Sequence, residues 1–380
     1  MTSETQWVNE IYEKMEQKLY AECARMGEKI PYWTVGGVYE EDYAKKDIYW
    51  WTNGFWSGIL WQLYHATKNE LYLETARKNE DLLDQALHGF IGLHHDTGFM
   101  WLHSAVADYR LTGSEEAKVR GLNAASVLAG RYNPNGKFIR AWNPECVEEG
   151  EDCTGWIIVD SMMNIPLLYW AGQITGDPRF QQIAVNHADT VASYLVREDG
   201  SCGHIACINP DTGELEHILG GQGYSETSSW SRGQSWILYG FALSYRYTKN
   251  KKYLDIAKKT AHYFISNIAL TGYIPLCDFR QPASAAYTDT SAGLCAACGL
   301  LEIAEHVDEC EKNLYRTYAE LILKHTAETC CDWNPDTDGI VQNCKVAFHN
   351  DRREQTDLIY ADYFLTEAVL RLLGKDFLIW

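Results

Sequence analysis

A short polar phrase recurs four times in this chain of 380 residues, and its copies divide the chain into helical hairpins. The copies are Thr67-Lys68-Asn69, Thr112-Gly113-Ser114, Thr175-Gly176-Asp177 and Thr248-Lys249-Asn250. Residues of this kind favour turns, so each copy is typical of a turn that closes one helix and opens the next. Pro178 follows one copy at a position where the first turn of a helix tolerates proline. The phrase therefore predicts consecutive helices joined by tight turns.

The helices before and after these turns differ in their hydrophobic pattern. The segment after the last copy is amphipathic, because its apolar residues recur at helical spacing on one face. These residues are Tyr253, Ile256, Ala257, Ala261, Phe264 and Ile265. The segments before two of the turns, 162–174 and 235–247, are apolar more uniformly. A helix that is apolar on all sides is buried and an amphipathic one is half exposed, so the pattern predicts an inner and an outer layer.

Six helices of each kind alternate along the chain, which predicts an all-α (α/α)6 toroid with inner helices ringed by outer helices. The outer helices are expected near 6–24, 70–88, 114–131, 178–197, 251–268 and 312–329, and the inner ones near 53–66, 103–111, 160–174, 233–247, 290–307 and 356–373. An open helical solenoid is the alternative, but solenoid repeats keep a nearly fixed period. The turns here begin at residues 67, 112, 175 and 248. Since no shift in composition marks a linker, we expect one domain over residues 1–380.

Composition excludes several classes of partner. The formal net charge is −19, which argues against nucleic acid or an anionic membrane as the main partner. The first residues carry no cationic or apolar stretch typical of a secretory signal, and no apolar run approaches the ~20 residues that span a bilayer. The one CxxC pair, Cys295 and Cys298, lies in an apolar helical run, and buried reduced thiols fit better there than a metal or redox site. We therefore expect a cytoplasmic protein.

The long connections of the predicted toroid all lead into inner helices, so their residues are expected to converge at one end. These connections lie near 25–52, 89–102, 132–159, 198–232, 269–289 and 330–355, and Trp, His, Asp, Gln and Arg gather in them. Functional residues concentrate on loops of this kind. The chain also has 14 Trp and 24 Tyr, which suit either a cleft that stacks on sugars or ordinary core packing.

Two aspartates in these connections are candidate acids. Asp160 precedes an apolar helix, where Asp is more often an N-cap, as it is expected to be at Asp289 and Asp357. Asp96 lies in the turn His94-His95-Asp96-Thr97-Gly98, where turn formation alone also favours Asp. A closed ring would bring these two hairpins together. Two carboxylates that face each other across an aromatic cleft are the expected groups for glycoside hydrolysis.

Metal and nucleotide sites are two alternative interpretations of these connections. His94, His95, Asp96 and His204 are possible metal ligands, but they lack the fixed helical spacing of known zinc motifs. The run Gly220-Gly221-Gln222-Gly223 lacks the Lys and Ser or Thr of a phosphate-binding loop, and a close approach to a ligand is the better interpretation. We expect neither a metal nor a cofactor.

Five motifs resemble the unsaturated glucuronyl hydrolases of glycoside hydrolase family 88. They are His94-His95-Asp96-Thr97-Gly98-Phe99, Ile158-Val159-Asp160-Ser161-Met162-Met163-Asn164, Gly221-Gln222-Gly223-Tyr224-Ser225, Ser229-Trp230-Ser231-Arg232-Gly233-Gln234-Ser235-Trp236 and Asp289-Thr290-Ser291-Ala292. The resemblance runs from about residue 7 to the last predicted helix. It implies unsaturated uronic-acid oligosaccharides as substrates, which lyases release from glycosaminoglycans and which carry a C4=C5 double bond. The family hydrates that bond instead of displacing a group at the anomeric carbon.

The resemblance also implies residue roles. Asp160 would be the general acid and base, and Asp96 the second acidic group that holds sugar hydroxyls. Binding roles would fall to Trp50, His95, Trp142, His204, Gln222, Arg232 and Trp236. Arg232 would receive the uronate carboxylate, because a guanidinium pairs well with a carboxylate. Arg352 and Arg353 fit a reader of substrate sulfate, with a solvated charged loop as the alternative.

Three other functions stay open on the sequence. An unsaturated rhamnogalacturonyl hydrolase is the closest enzyme alternative. A sugar epimerase on a helical toroid would use His for its proton transfers. A helical scaffold that binds partners in its groove would have no activity on unsaturated disaccharides.

Overall fold

The four predicted turns are confirmed, and a hydrogen-bonded threonine and a capping residue explain their geometry. At the third turn, the Thr175 hydroxyl donates to the Ala171 carbonyl at 2.7 Å and accepts from the Asp177 backbone N–H at 3.1 Å. Gly176 ends one helix in the left-handed conformation, with φ 71°. The Asp177 carboxylate accepts from the Arg179 N–H at 2.9 Å and begins the next helix. The same pairing of a left-handed residue with an N-cap occurs at Lys68 and Asn69, Gly113 and Ser114, and Lys249 and Asn250.

The computed structural model describes residues 3–350 and 356–380, and helices make up most of this part of the chain. The helices are α1 (Ser3–Met26), α2 (Tyr43–Lys46), α3 (Phe55–Thr67), α4 (Glu70–Gly89), α5 (Thr97–Trp101), α6 (Ala107–Thr112), α7 (Glu115–Ala129), α8 (Ser161–Asn164), α9 (Pro166–Thr175), α10 (Pro178–Tyr194), α11 (Ser231–Thr248), α12 (Lys251–Ile268), α13 (Thr290–Ala304), α14 (Glu309–Thr329) and α15 (Ile359–Leu373). Each of the twelve predicted helices overlaps one of these helices or a consecutive pair.

The second inner helix differs most from its prediction. It begins at Thr97, six residues before the expected start, and a π-helical segment, Leu102–Val106, joins α5 to α6. The early start was missed because Thr97 and Gly98 lack the apolar pattern of a buried helix. π-Helical segments are rare and occur often at functional sites.

The apolar helices contact one another in chain order, and the last contacts the first. Contacts run from α3 to the π-helical segment, from α5 to α8 and α9, from these to α11, and then to α13, α15 and back to α3. The amphipathic helices pack outside them: α4 against α3, α10 against α9, α12 against α11 and α14 against α13. Side chains such as Trp56, Trp61, Trp101 and Tyr239 are completely buried in this core. The core therefore lies among the apolar helices and between them and the amphipathic ones.

Five short strands add to the predicted helices. They are β1 (Tyr132–Asn133), β2 (Phe138–Ile139), β3 (Trp156–Ile158), β4 (Ile205–Ile208) and β5 (Leu215–Leu219). In the sheet β3-β4-β5, Ile158 pairs with Ile205 in antiparallel register. The Val159 N–H donates to the His204 carbonyl at 3.1 Å. The sheet therefore brings His204 beside Asp160, which follows β3.

Two expectations about the whole chain bear on its environment. All twelve cysteines are free, and Cys295 and Cys298 are completely buried in α13, in agreement with the prediction of reduced thiols. Among the described helices, none combines the length and apolar character that crossing a bilayer requires.

Candidate active site

A cavity of about 590 Å³ lies where the long connections meet. Six aromatic residues line it: Tyr32, Tyr49, Trp50, Trp51, Trp142 and Trp230. The polar residues that line it include Asp47, His94, Asp96, Glu145, Asp160, Gln222 and Arg232. Apolar walls with a few converging polar groups are typical of small-molecule sites. A larger surface groove, of about 800 Å³, includes neither candidate acid.

Asp160 lies in this cavity with a carboxyl group that is held in its neutral form. Its side chain does not cap α8, unlike the Asp289 side chain, which accepts the Ser291 N–H at the start of α13. Among the described residues, no group hydrogen-bonds the buried Oδ1 of Asp160. Burial and the negative charge of Asp96 raise the pKa of Asp160 to about 8, although Arg232 opposes the shift. Asp160 therefore retains its proton at neutral pH.

Asp96 is connected to Asp160 through the side chain of Asn164. The Asn164 amide donates to Oδ1 of Asp96 at 2.9 Å and to the backbone carbonyl of Asp160 at 3.3 Å. The Asn164 oxygen accepts the Phe99 N–H at 2.7 Å. Gly98 packs directly on this residue, because a Cβ at position 98 would lie 2.4 Å from the Asn164 backbone. The two candidate acids are thus fixed relative to each other by backbone packing as well as by hydrogen bonds.

The environment of Asp96 favours its ionised form. Oδ2 of Asp96 lies 3.2 Å from Nδ1 of His94 and 3.4 Å from Nε2 of His95. Burial opposes ionisation, but these imidazoles outweigh it and hold the pKa of Asp96 well below its usual range. The Asn164 amide acts in the same direction, since it donates to the carboxylate. Paired carboxyl groups whose pKa values are driven apart can divide the roles of acid and electrostatic partner.

His204 and Gln222 form the side of the site next to Asp160. The Gln222 N–H lies 2.9 Å from Nδ1 of His204, and the Gly220 carbonyl lies 3.2 Å from the same atom, while the other ring nitrogen, Nε2, faces Asp160. That nitrogen lies 3.9 Å from Oδ1 of Asp160. Burial lowers the pKa of His204 to about 3, so the ring is neutral at physiological pH. His204 can therefore orient Asp160 or a substrate without adding charge.

Arg232 lines the cavity but is already engaged by the protein. Nη1 forms an ion pair with Asp289 and donates to the Lys345 carbonyl at 2.8 Å, and Nη2 donates to the Val346 carbonyl at 2.6 Å. Its guanidinium carbon lies 4.5 Å from the centre of the Trp230 ring. A substrate carboxylate at Arg232 would compete with these acceptors, which the sequence did not predict.

The structure brings together most of the predicted site residues. Asp96, Asp160, Trp50, Trp142, Gln222 and Arg232 line the cavity. His95 and His204 are buried beside the two carboxyl groups. Trp236 lies in the core instead, with its ring 5.3 Å from Phe99 and 5.6 Å from Phe364. It is the sixth residue of α11, beyond the helix end that reaches the cavity. Arg352 and Arg353 lie outside the described residues.

Sequence reasoning missed several residues of the cavity. They are Tyr32, Asp47, Tyr49, Trp51, Glu145 and Trp230, together with Asn164 between the two acids. The first six all lie in the long connections, so their location there could have identified them as candidates. Asn164 lies four residues after Asp160, one helical turn away, and its place at the end of the second family motif was the available signal.

One group of side chains has the composition of a metal site. The ligand atoms of His94, His95 and Asp96 all lie within 4.8 Å of one another. His204, which the sequence also suggested, is not part of this group. The same contacts account for the ionised state of Asp96 without a metal, so the absence of a metal requirement stays a prediction.

Similarity to known proteins agrees with this geometry. The sequence model of Glycosyl Hydrolase Family 88 matches residues 28–271. The unsaturated glucuronyl hydrolase of Bacillus sp. (strain GL1) is 36% identical over 357 residues, 92% of each chain. The unsaturated chondroitin disaccharide hydrolase of Streptococcus agalactiae (serotype III, strain NEM316) is 32% identical over 380 residues, 98% of this chain and 93% of that protein.

Solved structures agree as well. The crystal structure of the unsaturated glucuronyl hydrolase from Bacillus sp. GL1 superimposes with a TM-score of 0.90 at 32% identity, over 96% of each chain. A mutant of the Streptococcus agalactiae enzyme complexed with dGlcA-GalNAc6S superimposes with a TM-score of 0.83 at 29% identity, over 98% of this chain and 93% of the other. With the family match over more than half of the chain, these relatives show that this protein belongs to glycosyl hydrolase family 88.

Proposed function

We propose that this protein is an unsaturated glucuronyl hydrolase that removes the unsaturated uronic acid from the non-reducing end of lyase-generated glycosaminoglycan oligosaccharides. The relatives bear the names unsaturated glucuronyl hydrolase and unsaturated chondroitin disaccharide hydrolase. Related structures contain dGlcA-GalNAc6S and dGlcA-Glc-Rha-Glc, and another is described as specific for heparin. These names support this function over a rhamnogalacturonyl hydrolase, an epimerase or a scaffold.

The observation that carries the proposal is the pair of carboxyl groups in an aromatic cavity. Asp160 holds a proton at neutral pH because its pKa is raised to about 8, whereas Asp96 is ionised. A group that first donates and then accepts a proton works best when its pKa lies near the working pH. Asp160 meets that condition, and Asp96 keeps a fixed negative charge beside it.

The proposed reaction adds water across the C4=C5 double bond. Asp160 gives its proton to C4, and the resulting carboxylate then takes a proton from the water whose oxygen bonds to C5. The product at C5 is a hemiketal, which opens to a ketone and leaves a hemiacetal at C1 that releases the second sugar. Asp96 binds sugar hydroxyls, and His204 and Gln222 orient the uronic acid against Asp160.

The test follows the loss of ultraviolet absorbance from unsaturated chondroitin, heparin and hyaluronan disaccharides. We expect the absorbance to fall with each substrate that is accepted, while matched saturated glucuronides stay intact. In heavy water the product should carry one deuterium at C4, because the proton on Asp160 exchanges with solvent. Comparable turnover of saturated glucuronides with no deuterium at C4 would show that the enzyme attacks the anomeric carbon instead.

The proposal includes a role for Arg352 and Arg353 with sulfated substrates. Each charge-assisted hydrogen bond to a sulfate contributes about 1.5–3 kcal/mol, so loss of one bond lowers affinity at least ~10-fold. The double variant Arg352→Ala/Arg353→Ala should therefore lose at least ~10-fold in kcat/KM on sulfated disaccharides and little on unsulfated ones. An equal loss on both substrates would assign these residues to the structure of the connection.

We further propose that the architecture is an (α/α)6 toroid formed by a single domain over residues 1–380, in a cytoplasmic protein. Contacts that run in chain order from α3 to α15 and return to α3 support a closed ring. The free cysteines are compatible with a reducing compartment. Limited proteolysis that released a stable fragment with its own cooperative unfolding would contradict the single domain.

A further inference from the structure

Asp289 has no role in the proposed hydration reaction, although its motif is one of those that carry the family resemblance. It precedes α13, is completely buried and does not line the cavity. Its carboxylate accepts from the Ser291 backbone N–H at 3.2 Å and from the Ser291 hydroxyl at 2.5 Å. The Lys345 backbone N–H lies 3.4 Å away and donates to the same oxygen. These contacts are more than an N-cap requires, because Asp289 also forms a buried ion pair with Arg232.

Arg232 transmits this contact to the wall of the cavity. Its donors hold the carbonyls of Lys345 and Val346, and Val346 lines the cavity. The Val346 carbonyl also accepts from Nε2 of Gln222 at 3.0 Å. The Gln222 N–H in turn donates to His204, whose Nε2 lies 3.9 Å from Oδ1 of Asp160. A continuous series of contacts therefore joins Asp289 to the candidate proton donor.

The charges along this series act on Asp160 in opposite directions. The Arg232 cation favours the ionised form of Asp160, and the Asp96 anion favours the protonated form. His204 is neutral, and burial raises the pKa values of the thiols near Asp160 and Asp289, so these groups add no charge at neutral pH. The thiols are those of Cys202, Cys277, Cys295 and Cys344. Tyr360, on which Arg232 also packs, has a pKa raised by burial and is neutral too.

We propose that Asp289 is a positioning residue: its carboxylate fixes the Arg232 guanidinium, holds the cavity wall at 345–346, and offsets the cation that faces Asp160. The proposal rests on the proposed function, since it assumes that Asp160 must be protonated when substrate binds. Without the Asp289 charge, the unbalanced cation of Arg232 would favour the ionised form of Asp160, which cannot donate a proton.

The test measures the pH dependence of kcat/KM for Asp289→Asn with an unsaturated disaccharide. Asparagine keeps the size of the side chain and an oxygen that can cap α13, but it removes the charge. We expect the decline of kcat/KM at alkaline pH to move ~1 unit lower, since a nearby opposite charge shifts a carboxyl pKa by about 1–3 units. KM should rise as well, because the 345–346 wall is no longer held. Unchanged alkaline decline and KM, with a lower melting temperature, would show that Asp289 is only a helix cap.

Ser291→Ala is the matched control. It removes a hydroxyl that contacts both Asp289 and Arg232, yet it leaves both charges in place. Its alkaline decline should therefore stay at the wild-type pH even if its melting temperature falls. A shift equal to that of Asp289→Asn would attribute the effect to local packing and overturn the electrostatic role.

Arg232→Gln keeps the proposal testable if Asp289→Asn fails to fold. Removing the cation should move the alkaline decline to higher pH, because the charge that favours ionised Asp160 is lost. If Arg232→Gln leaves the decline in place, the cation does not act on Asp160 and the proposal fails. Failure of the proposed function looks different, because the wild-type protein would then not consume unsaturated disaccharides at any pH.

Discussion

Buried and half-buried carboxyl side chains form several groups in this molecule, and two of these groups can be compared directly, one beside the aromatic cavity and one away from it. Asp96 and Asp160 line the aromatic cavity. Glu22 on α1, Asp362 on α15 and Asp338 lie close enough to influence one another electrostatically, and none of them lines this cavity. Both groups contain a carboxyl group whose pKa is raised by burial and by a neighbouring acid, to about 8 at Asp160 and to about 7 at Asp362. A raised pKa by itself therefore does not identify a catalytic acid.

The hydrogen bonds of the two groups show the difference. Asp362 accepts the backbone N–H groups of Ile340 and Val341 at distances of 2.8–3.2 Å, so it connects α15 to the segment before it. Among the described residues, Oδ1 of Asp160 has no such partner. An acid that donates its proton to a ligand needs an oxygen that the protein has not already used. Open hydrogen-bonding capacity beside a cavity, rather than burial, distinguishes the candidate catalyst.

The largest expected effect is the loss of activity in Asp160→Asn. Its kcat/KM on an unsaturated disaccharide should fall ~10²–10⁴-fold, because only proton transfer is removed. The melting temperature at neutral pH should change little, since Asp160 is already neutral there. Near wild-type activity would remove Asp160 from the chemistry and erase the distinction between the two groups. Asp96→Asn should also be severely impaired.

The second largest effect is expected in the pH dependence of kcat/KM of the wild-type enzyme, which should distinguish the group that contains Asp160 from the group that contains Asp362. As Asp160 loses its proton above about pH 8, kcat/KM should fall, approaching tenfold per unit. Titration of Asp362 near pH 7 should not change kcat/KM, because Asp362 does not line the cavity. An alkaline decline with its midpoint at pH 5 or 6 would contradict the assignment of Asp160 as the acid.

Asp362→Asn should give the opposite pattern to Asp160→Asn. Its amide oxygen can still accept from Val341, but its nitrogen would set a donor against the Ile340 N–H that Oδ2 now accepts at 3.1 Å, which costs about 1–3 kcal/mol. We expect urea unfolding to show this loss of stability, while kcat per folded molecule stays near the wild-type value. A fully stable variant with reduced kcat would place Asp362 in the chemistry after all.

Glu22→Gln should change how stability depends on pH. Burial, Asp362 and Asp338 raise the pKa of Glu22 well above its ordinary value of 4.5, so the folded protein binds a proton that the unfolded chain releases. Its contribution to stability is complete below about pH 4.5 and declines as pH rises toward the folded pKa, by about 1.4 kcal/mol per unit. Between pH 5 and 8, the melting temperature of Glu22→Gln should therefore fall less steeply with rising pH than that of the wild-type protein.

Glu13→Gln on the same helix is the control, because Glu13 is exposed. It should keep the wild-type slope of melting temperature against pH. Equal slopes in wild type and Glu22→Gln would mean that Glu22 is ionised in the folded protein.

The smallest expected effect is that of a chelator on activity, which should be zero. The ligand atoms of His94, His95 and Asp96 lie close enough to hold a metal ion. In the proposed reaction these histidines keep Asp96 ionised. Loss of activity in chelator, with recovery on addition of one divalent cation, would show that His94, His95 and Asp96 bind a metal ion that the reaction needs.

Local chemistry made the helices predictable. The phrase at Thr175-Gly176-Asp177 contains the terminating residue and the capping residue that end one helix and begin the next. Where these local signals were weak, prediction failed: α5 begins with Thr97 and Gly98, and the short strands beside Asp160 are stabilised by pairing between distant segments. The sequence showed which connections carry the site. It could not show that Trp236 faces the core and Trp230 the cavity, because both lie in the same motif.

The close packing of Gly98 on the Asn164 backbone limits how this enzyme can be altered by laboratory evolution. Any larger side chain at position 98 would push apart the two backbone segments that carry Asp96 and Asp160. The distance between the two carboxyl groups therefore cannot be tuned by small substitutions at this contact. Libraries aimed at new substrates should leave positions 98 and 164 unchanged. Diversity belongs in the aromatic walls of the cavity, at positions such as Tyr49 and Trp142.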